Sequence, residues 1–116
     1  MQHADEWQKP FDIEGFHFID ILHAEAVLMF LNYRGNVKLI TYKMGYKNSV
    51  VIYKKLNRFC RDNGMENSIH MVMRLIGHTG FWNRLDDYLK VHKDQLKFAK
   101  QQIELHRQLC TKRRKS

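Results

Sequence analysis

Apolar residues recur at three- and four-residue spacing through most of the chain, which is the pattern of amphipathic helices. A first helix is predicted from Phe18, with one face formed by Ile19, Leu22, Ala26, Met29 and Tyr33. Arg34-Gly35 supplies its end, because glycine readily adopts the left-handed conformation that closes a helix.

Two shorter helices are predicted next. Asn36 is a good N-cap for a helix over Val37 to Met44, although the β-branched residues there would also suit a strand. Gly45 ends this helix. After a turn in which Ser49 acts as cap, a third helix runs to about Asp62 and turns inward Ile52, Leu56 and Phe59.

Two periodicities compete beyond Gly64. The spacing of Ile69, Val72, Met73 and Ile76 fits a helix, whereas alternation of Ile69, Met71, Met73 and Leu75 fits a strand. We favour the helix, since methionine and leucine outnumber β-branched residues. The alternative is a winged helix with a small hairpin near residues 68–84.

A long helix is predicted from Phe81 onward. Its main stripe has 3-4 spacing over four heptads and consists of Trp82, Leu85, Leu89, His92, Leu96, Ala99, Ile103, His106 and Cys110. A second stripe consists of Val91, Phe98 and Leu105. Two stripes predict that the helix packs on the domain and also on a partner, so we expect a homodimer through residues 82–110.

The predicted fold class is therefore all-α. An irregular arm of acidic and aromatic residues (1–17) precedes a tri-helical head (18–64) and a C-terminal helical region with a basic tail (65–116). We expect one or two further helices after the head, the last of them long and dimerising.

Composition narrows the class of protein. A chain of 116 residues allows one compact domain, and no apolar run approaches a membrane span. Only Cys60 and Cys110 are present, which excludes a disulfide scaffold, predicts two buried thiols and indicates a reducing compartment. We expect a cytoplasmic, nucleoid-associated protein.

Charge points to a polyanionic partner. The net charge is +8, but Met1 to Tyr33 carry six acids and one base, whereas the rest carries 19 bases and six acids. Arg34 to Arg61 hold eight bases and no acid. This segregation predicts an anion-facing middle segment.

The middle segment resembles a helix-turn-helix. Met44-Gly45-Tyr46 and Tyr53-Lys54-Lys55-Leu56 are similar to the Fis-like and AraC-like modules of bacterial or phage regulators. The resemblance covers Ile19 to Gly64 and departs from the usual pattern at Ile40 or Thr41, where a small alanine is common. It implies that the third helix enters the major groove of DNA.

In such a module, the residues around the third helix that do not belong to its inward stripe face the DNA. Base contacts are predicted for Lys47, Asn48, Ser49, Val50, Tyr53, Lys54 and Asn57. Phosphate contacts are predicted for Lys38, Lys43, Lys55, Arg58 and Arg61.

The residues do not form a pattern of catalytic or metal chemistry. The seven histidines lack ligand spacing, and Asp86-Asp87 lacks a third acid. We expect no metal, no cofactor and no enzyme activity.

The leading hypothesis is sequence-specific binding of double-stranded DNA by a homodimeric transcriptional regulator or a DNA-transaction accessory factor. The alternative is a protein-interaction or assembly module with only nonspecific nucleic-acid contact, in which the acidic arm binds a neighbour's basic C-terminal helix. RNA binding and a small nuclease are more distant alternatives.

Overall fold

The computed structural model describes residues 7–115, and it describes the side chains of that range except those of residue 107 and residues 110–115. Within this range lie two short strands, β1 (Phe11–Ile13) and β2 (Phe16–Phe18). Six helices follow: α1 (Ile21–Asn32), α2 (Val37–Met44), α3 (Val50–Asp62), α4 (Ser68–Gly77), α5 (Phe81–Val91) and α6 (Lys93–Lys115). The protein is mostly helical, as predicted, but an all-α class omits the hairpin.

The hairpin corrects the expectation of an irregular arm over residues 1–17, of which residues 1–6 lie outside the described range. β1 and β2 pair antiparallel, with Phe11 opposite Phe18 and Ile13 opposite Phe16. Glu14 and Gly15 connect them with positive φ angles of 51° and 85°. Two central residues with positive φ form the turn type that matches the twist of a two-stranded hairpin.

The hairpin is fixed to the helices by aromatic packing. Phe18 stacks on Phe59 of α3 with ring centroids 4.7 Å apart, and Phe11 stacks on Tyr88 of α5 at 4.3 Å. Such contacts add to the area that large aromatic rings bury. A strand of three residues is therefore stable here because it packs on helices instead of standing alone.

Helix α1 is the central element of the fold. It begins at Ile21, three residues later than predicted, because the Asp20 carboxylate accepts a hydrogen bond from the His23 amide at 3.0 Å and caps the helix. Buried positions occur around most of its circumference instead of on one face: Ile21, Leu22, Ala24, Glu25, Ala26, Val27, Leu28 and Leu31.

Helices α2 and α3 have the predicted bounds. The Asn36 side chain accepts a hydrogen bond from the Leu39 amide at 3.2 Å, so α2 begins where its predicted cap lies, and the strand alternative is wrong. Gly45 ends α2 with a φ of 77°, in the left-handed region that glycine tolerates. Asn63 ends α3.

The C-terminal half contains three helices instead of the expected one or two. Residues 68–77 and 81–91 are helical, so the winged-helix alternative is wrong. The predicted continuous helix from Phe81 is interrupted at His92, whose ring N–H donates to the Tyr88 carbonyl at 2.9 Å and whose ring stacks on Tyr88. His92 thereby caps α5, and α6 starts afresh at Lys93.

A single hydrophobic core draws on every element. Its most deeply buried large side chains come from the hairpin, α1, α2, α3, α4 and α5: Phe18, Ile21, Ile40, Ile52, Phe59, Met71 and Phe81. In α6, Ala99 is fully buried. None of the helices in the described range is long and apolar enough to cross a membrane.

Candidate nucleic-acid interface

Helix α3 has two sharply different faces. Ile52, Leu56 and Phe59 form the inward face, with exposures of 0, 1 and 2%, as their spacing predicted. The opposite face is open to solvent and carries Val50, Tyr53, Lys54, Asn57 and Arg61. These outward residues are three or four positions apart, so they form one continuous surface along the helix.

The turn between α2 and α3 is held by short-range contacts. Asn48 accepts a hydrogen bond from the Val50 amide at 3.0 Å and thus caps the start of α3. Ser49, the expected cap, makes no such bond. Its hydroxyl instead lies 3.1 Å from that of Thr41, which also donates to the Val37 carbonyl, so Ser49 ties the end of the turn to α2.

The predicted base-contacting residues therefore divide into two groups. Val50 and Tyr53 are 53% and 52% exposed, and Lys47, Lys54 and Asn57 are also exposed. Asn48 is exposed but its carbonyl oxygen is used in capping, and Ser49 is partly buried against Thr41. Of these two groups, only the first offers side chains that a ligand could reach without breaking a local contact. It consists of Lys47, Val50, Tyr53, Lys54 and Asn57.

The predicted phosphate-contacting residues also differ in availability. Lys38, Lys43 and Arg61 are exposed, and the Lys43 ammonium lies 5.4 Å from the centre of the Tyr33 ring. Arg58 is engaged already, because its Nε donates to the Asp62 carboxylate at 2.8 Å. Lys55 is partly buried against the body of the protein.

A furrow of about 520 Å³ runs beside the exposed face of α3. Its walls consist of one apolar residue, Val51, and six basic or polar residues: His23, Lys54, Lys55, Asn57, Arg58 and Arg61. Sequence reasoning missed His23, which comes from α1 and reaches the furrow only because α1 packs on α3. The spacing of residues within α3 contains no signal for that contact.

The inner edge of the furrow contains a partly buried hydrogen-bonded pair, His23 and Asp20. The His23 ring N–H donates to the Asp20 carboxylate at 2.7 Å. Burial alone would raise the pKa of the Asp20 carboxyl group. The hydrogen bonds and charge of His23, together with the charge of Lys55, outweigh burial, so this pKa lies below its ordinary value. Burial likewise lowers the pKa of Lys55, against the opposing effect of Asp20 and Glu25.

Helix α6 is attached near the same edge by an ion pair. The Lys100 ammonium lies 2.6 Å from the carboxylate of Glu25, a buried residue of α1. Tyr46 lies in the turn after α2, and burial together with the charges of Glu25 and Asp20 raises its pKa to about 12. The phenol therefore remains protonated at physiological pH.

The remaining groups that could bind a metal or react lie among the histidines, cysteines and acids of the described residues. No group of three or more metal-ligating side chains occurs there. Cys60 is buried as predicted, and burial raises the pKa of its thiol, whereas the side chain of Cys110 lies outside the described residues. Asp86 pairs with Lys90 at 2.9 Å, and Arg84 lies 3.6 Å from Glu14, so these charges have structural partners.

No protein-family model matches the chain, and no curated protein and no solved structure matches it.

Proposed function

We propose that the protein binds double-stranded DNA in a sequence-specific manner through a helix-turn-helix made of α1, α2 and α3. Its role would be that of a homodimeric transcriptional regulator or an accessory factor in a DNA transaction. The observation that carries the proposal is the exposed basic and polar face of α3, which lies within a run of 28 residues, Arg34 to Arg61, that contains eight bases and no acid.

Base recognition is assigned to the open residues of that face. A helix in the major groove presents its N-terminal residues to base edges. Lys54 can donate to guanine, the Asn57 amide can pair with adenine, and Val50 can contact a thymine methyl group. Lys47 and Tyr53 flank them and are equally exposed.

The five bases predicted to contact phosphates are not expected to contribute equally. Lys38, Lys43 and Arg61 are exposed and are expected to position the module on the backbone. Lys55 and Arg58 are expected to contribute less, because Lys55 is partly buried and Arg58 is already hydrogen-bonded to Asp62.

A dimer follows from the small size of one module, which offers few base contacts. Two copies related by a two-fold axis would meet half-sites one helical turn apart. Helix α6 is the proposed dimerisation element within residues 82–110, and its exposed apolar side chains Leu105 and Leu109 lie one helical turn apart on it.

The decisive experiment is selection from a pool of random DNA duplexes followed by sequencing. We expect an enriched motif with two-fold symmetry. Three exposed phosphate contacts in each of two copies predict that affinity falls about a thousandfold between about 50 and 200 mM salt.

A double variant tests the assigned residues directly. Lys54→Glu with Asn57→Ala should abolish enrichment of the motif, whereas the matched pair Lys9→Glu with Gln8→Ala, at exposed positions before β1 and outside residues 82–110, should retain it. If selection returns no motif, or if both double variants weaken binding equally, contact with DNA is nonspecific attraction to a basic protein.

A further inference from the structure

Helix α4 has more apolar residues than its buried face can accommodate. Met71 and Leu75 point into the core. Ile69, Met73 and Ile76 lie on the opposite side at i, i+4 and i+7, and they are 70, 70 and 61% exposed. Isolated exposed apolar residues are ordinary, but a contiguous row of them marks a binding surface.

This row borders a groove of about 480 Å³ between α4, the end of α1 and the start of α5. Phe30 and Leu31 line it from α1, and Trp82 lines it from α5. The indole of Trp82 is held in place, because its N–H donates to the Asn32 side chain at 2.9 Å. Aromatic residues, methionine and arginine are the types enriched in protein interfaces, and this lining contains all three.

We propose that this groove binds an amphipathic helix of another protein, with an acidic side chain at the edge of its apolar face. A row of side chains beside a groove is the surface into which the ridges of a second helix pack. The partner would insert apolar residues at i, i+3 or i+4 and i+7 between the row of α4 and Trp82. This binding is independent of the DNA-binding proposal.

The requirement for an acid comes from Arg34. It is the one charged residue in the lining, so an occupant that covers it must supply a carboxylate or leave a guanidinium desolvated and unpaired. Pairing of this groove with the same groove of a second copy fits poorly, because the two copies would bring two arginines and no carboxylate.

Arg34 is also held in an unusual conformation. Its φ is 53°, in the left-handed region where side chains other than glycine, asparagine and aspartate are uncommon. Gly35 follows directly with a φ of 78°. These two residues end α1, since the Gly35 amide donates to the Phe30 carbonyl at 2.9 Å, and this end of the helix places Arg34 in the lining of the groove.

The groove and the exposed face of α3 have no lining residue in common. Helix α1 contributes His23 to the furrow beside α3 and Phe30 to the groove. These positions are about 10 Å apart along the helix axis at 1.5 Å per residue. The proposed partner surface is therefore distinct from the proposed DNA surface.

The test uses two synthetic amphipathic helices of about 18 residues that share an apolar face. One carries glutamate along the edges of that face, and the other carries lysine. Trp82 fluorescence reports binding to the full chain, since Trp7 is buried and the indole of Trp82 lines the groove. At about 150 mM salt, we expect saturable binding of the glutamate helix and a preference for it over the lysine helix.

Three variants locate the binding. Met73→Glu should weaken affinity for the glutamate helix by at least about tenfold. Arg34→Glu should reverse the preference, so that the lysine helix binds better by roughly threefold or more. Lys54→Glu, with the same change of charge on α3, should change neither.

Several results would overturn the proposal. They are equal binding of the two helices, an unchanged preference in Arg34→Glu, and full affinity in a folded Met73→Glu variant. A further contrary result would come from sedimentation of the protein without a peptide. If Met73→Glu converts a dimer into a monomer, the groove pairs two copies of this chain instead.

Discussion

Asn63 joins two elements that are distant in the chain. Its amide nitrogen donates to the carbonyls of His17 at 2.9 Å and Phe59 at 2.8 Å, and its side-chain oxygen accepts from the His17 amide at 2.7 Å. One side chain thus satisfies backbone groups of β2 and the end of α3. The sequence around Asn63 contains no signal for this contact with the hairpin.

We expect Asn63→Ala to lower the free energy of unfolding by about 2 kcal/mol, because it leaves partly buried donors and acceptors without partners. Urea denaturation at neutral pH measures this loss. Asn57→Ala is the matched control in the same helix; its side chain is exposed, so we expect a change within about 0.5 kcal/mol. Equal effects of the two substitutions would contradict the bridging role.

The Asp20 carboxyl group makes the free energy of unfolding depend on pH. Because its pKa in the folded protein lies below the ordinary value of 3.8, its carboxylate stabilises the fold above pH 3.8. That contribution is lost as pH falls through the lower, folded pKa. Asp20→Asn keeps an oxygen that can cap α1 but has no charge. We expect wild type to be the more stable at about pH 6, and the difference from Asp20→Asn to shrink as pH falls to about 2. A difference that is constant over this range would exclude the electrostatic role.

The turn after α2 depends on the backbone of Gly45. Its φ of 77° disfavours any side chain, although nothing lies within 4 Å of an added Cβ. Gly45→Ala should therefore cost about 1 kcal/mol of strain. Gly77→Ala is the control, since Gly77 belongs to α4, lacks a positive φ and has equal space; we expect it to be neutral or to stabilise by up to about 1 kcal/mol. Thermal unfolding of both variants checks the sign, and destabilisation by Gly77→Ala as large as that by Gly45→Ala would refute this account.

The elements that are predicted best from the sequence are those whose ends are marked by nearby capping residues and glycines. Helices α2 and α3 have their caps and glycines within a few residues, and their bounds follow from them. The hairpin was missed because its turn places Glu14 at positive φ, a conformation that glutamate rarely adopts. The break at His92 was missed because the apolar spacing continues through it. At the break the His92 ring N–H donates to the Tyr88 carbonyl, a contact that the spacing does not indicate.

The direction of α4 also could not be predicted. Apolar residues occur around the helix, so either side would have satisfied a hydrophobic core. The choice depends on the neighbouring elements, α3 and α5, which cover Met71 and Leu75 and leave Ile69 and Met73 outside. By contrast, the inward face of α3 follows from the sequence, because Ile52, Leu56 and Phe59 form one stripe. The contribution of His23 could not be predicted, since it depends on the packing of α1 on α3.

At the scale of the whole molecule, the acidic N-terminal third has a structural role. Each described acid within it pairs with a base: Asp12 with His17, Asp20 with His23, Glu14 with Arg84 and Glu25 with Lys100. The last two pairs reach α5 and α6, so acids of the N-terminal third help to attach the C-terminal helices. The acid-free segment from Arg34 to Arg61 has eight bases and keeps several of them exposed where we propose that DNA binds.

The arrangement of two copies is the remaining question at this scale. Leu105 and Leu109 are 51% and 53% exposed on α6, so glutamate at both positions should leave the fold intact. If α6 forms the dimer, Leu105→Glu with Leu109→Glu should halve the mass measured by sedimentation equilibrium, because two desolvated charges would oppose association. DNA affinity should then fall by more than tenfold, since each module would bind alone. Met73→Glu is the control, because it adds the same charge to an apolar surface outside residues 82–110 and should leave the dimer unchanged. A wild-type protein that is monomeric at all concentrations, or a double variant with wild-type mass, would exclude α6 as the dimer interface.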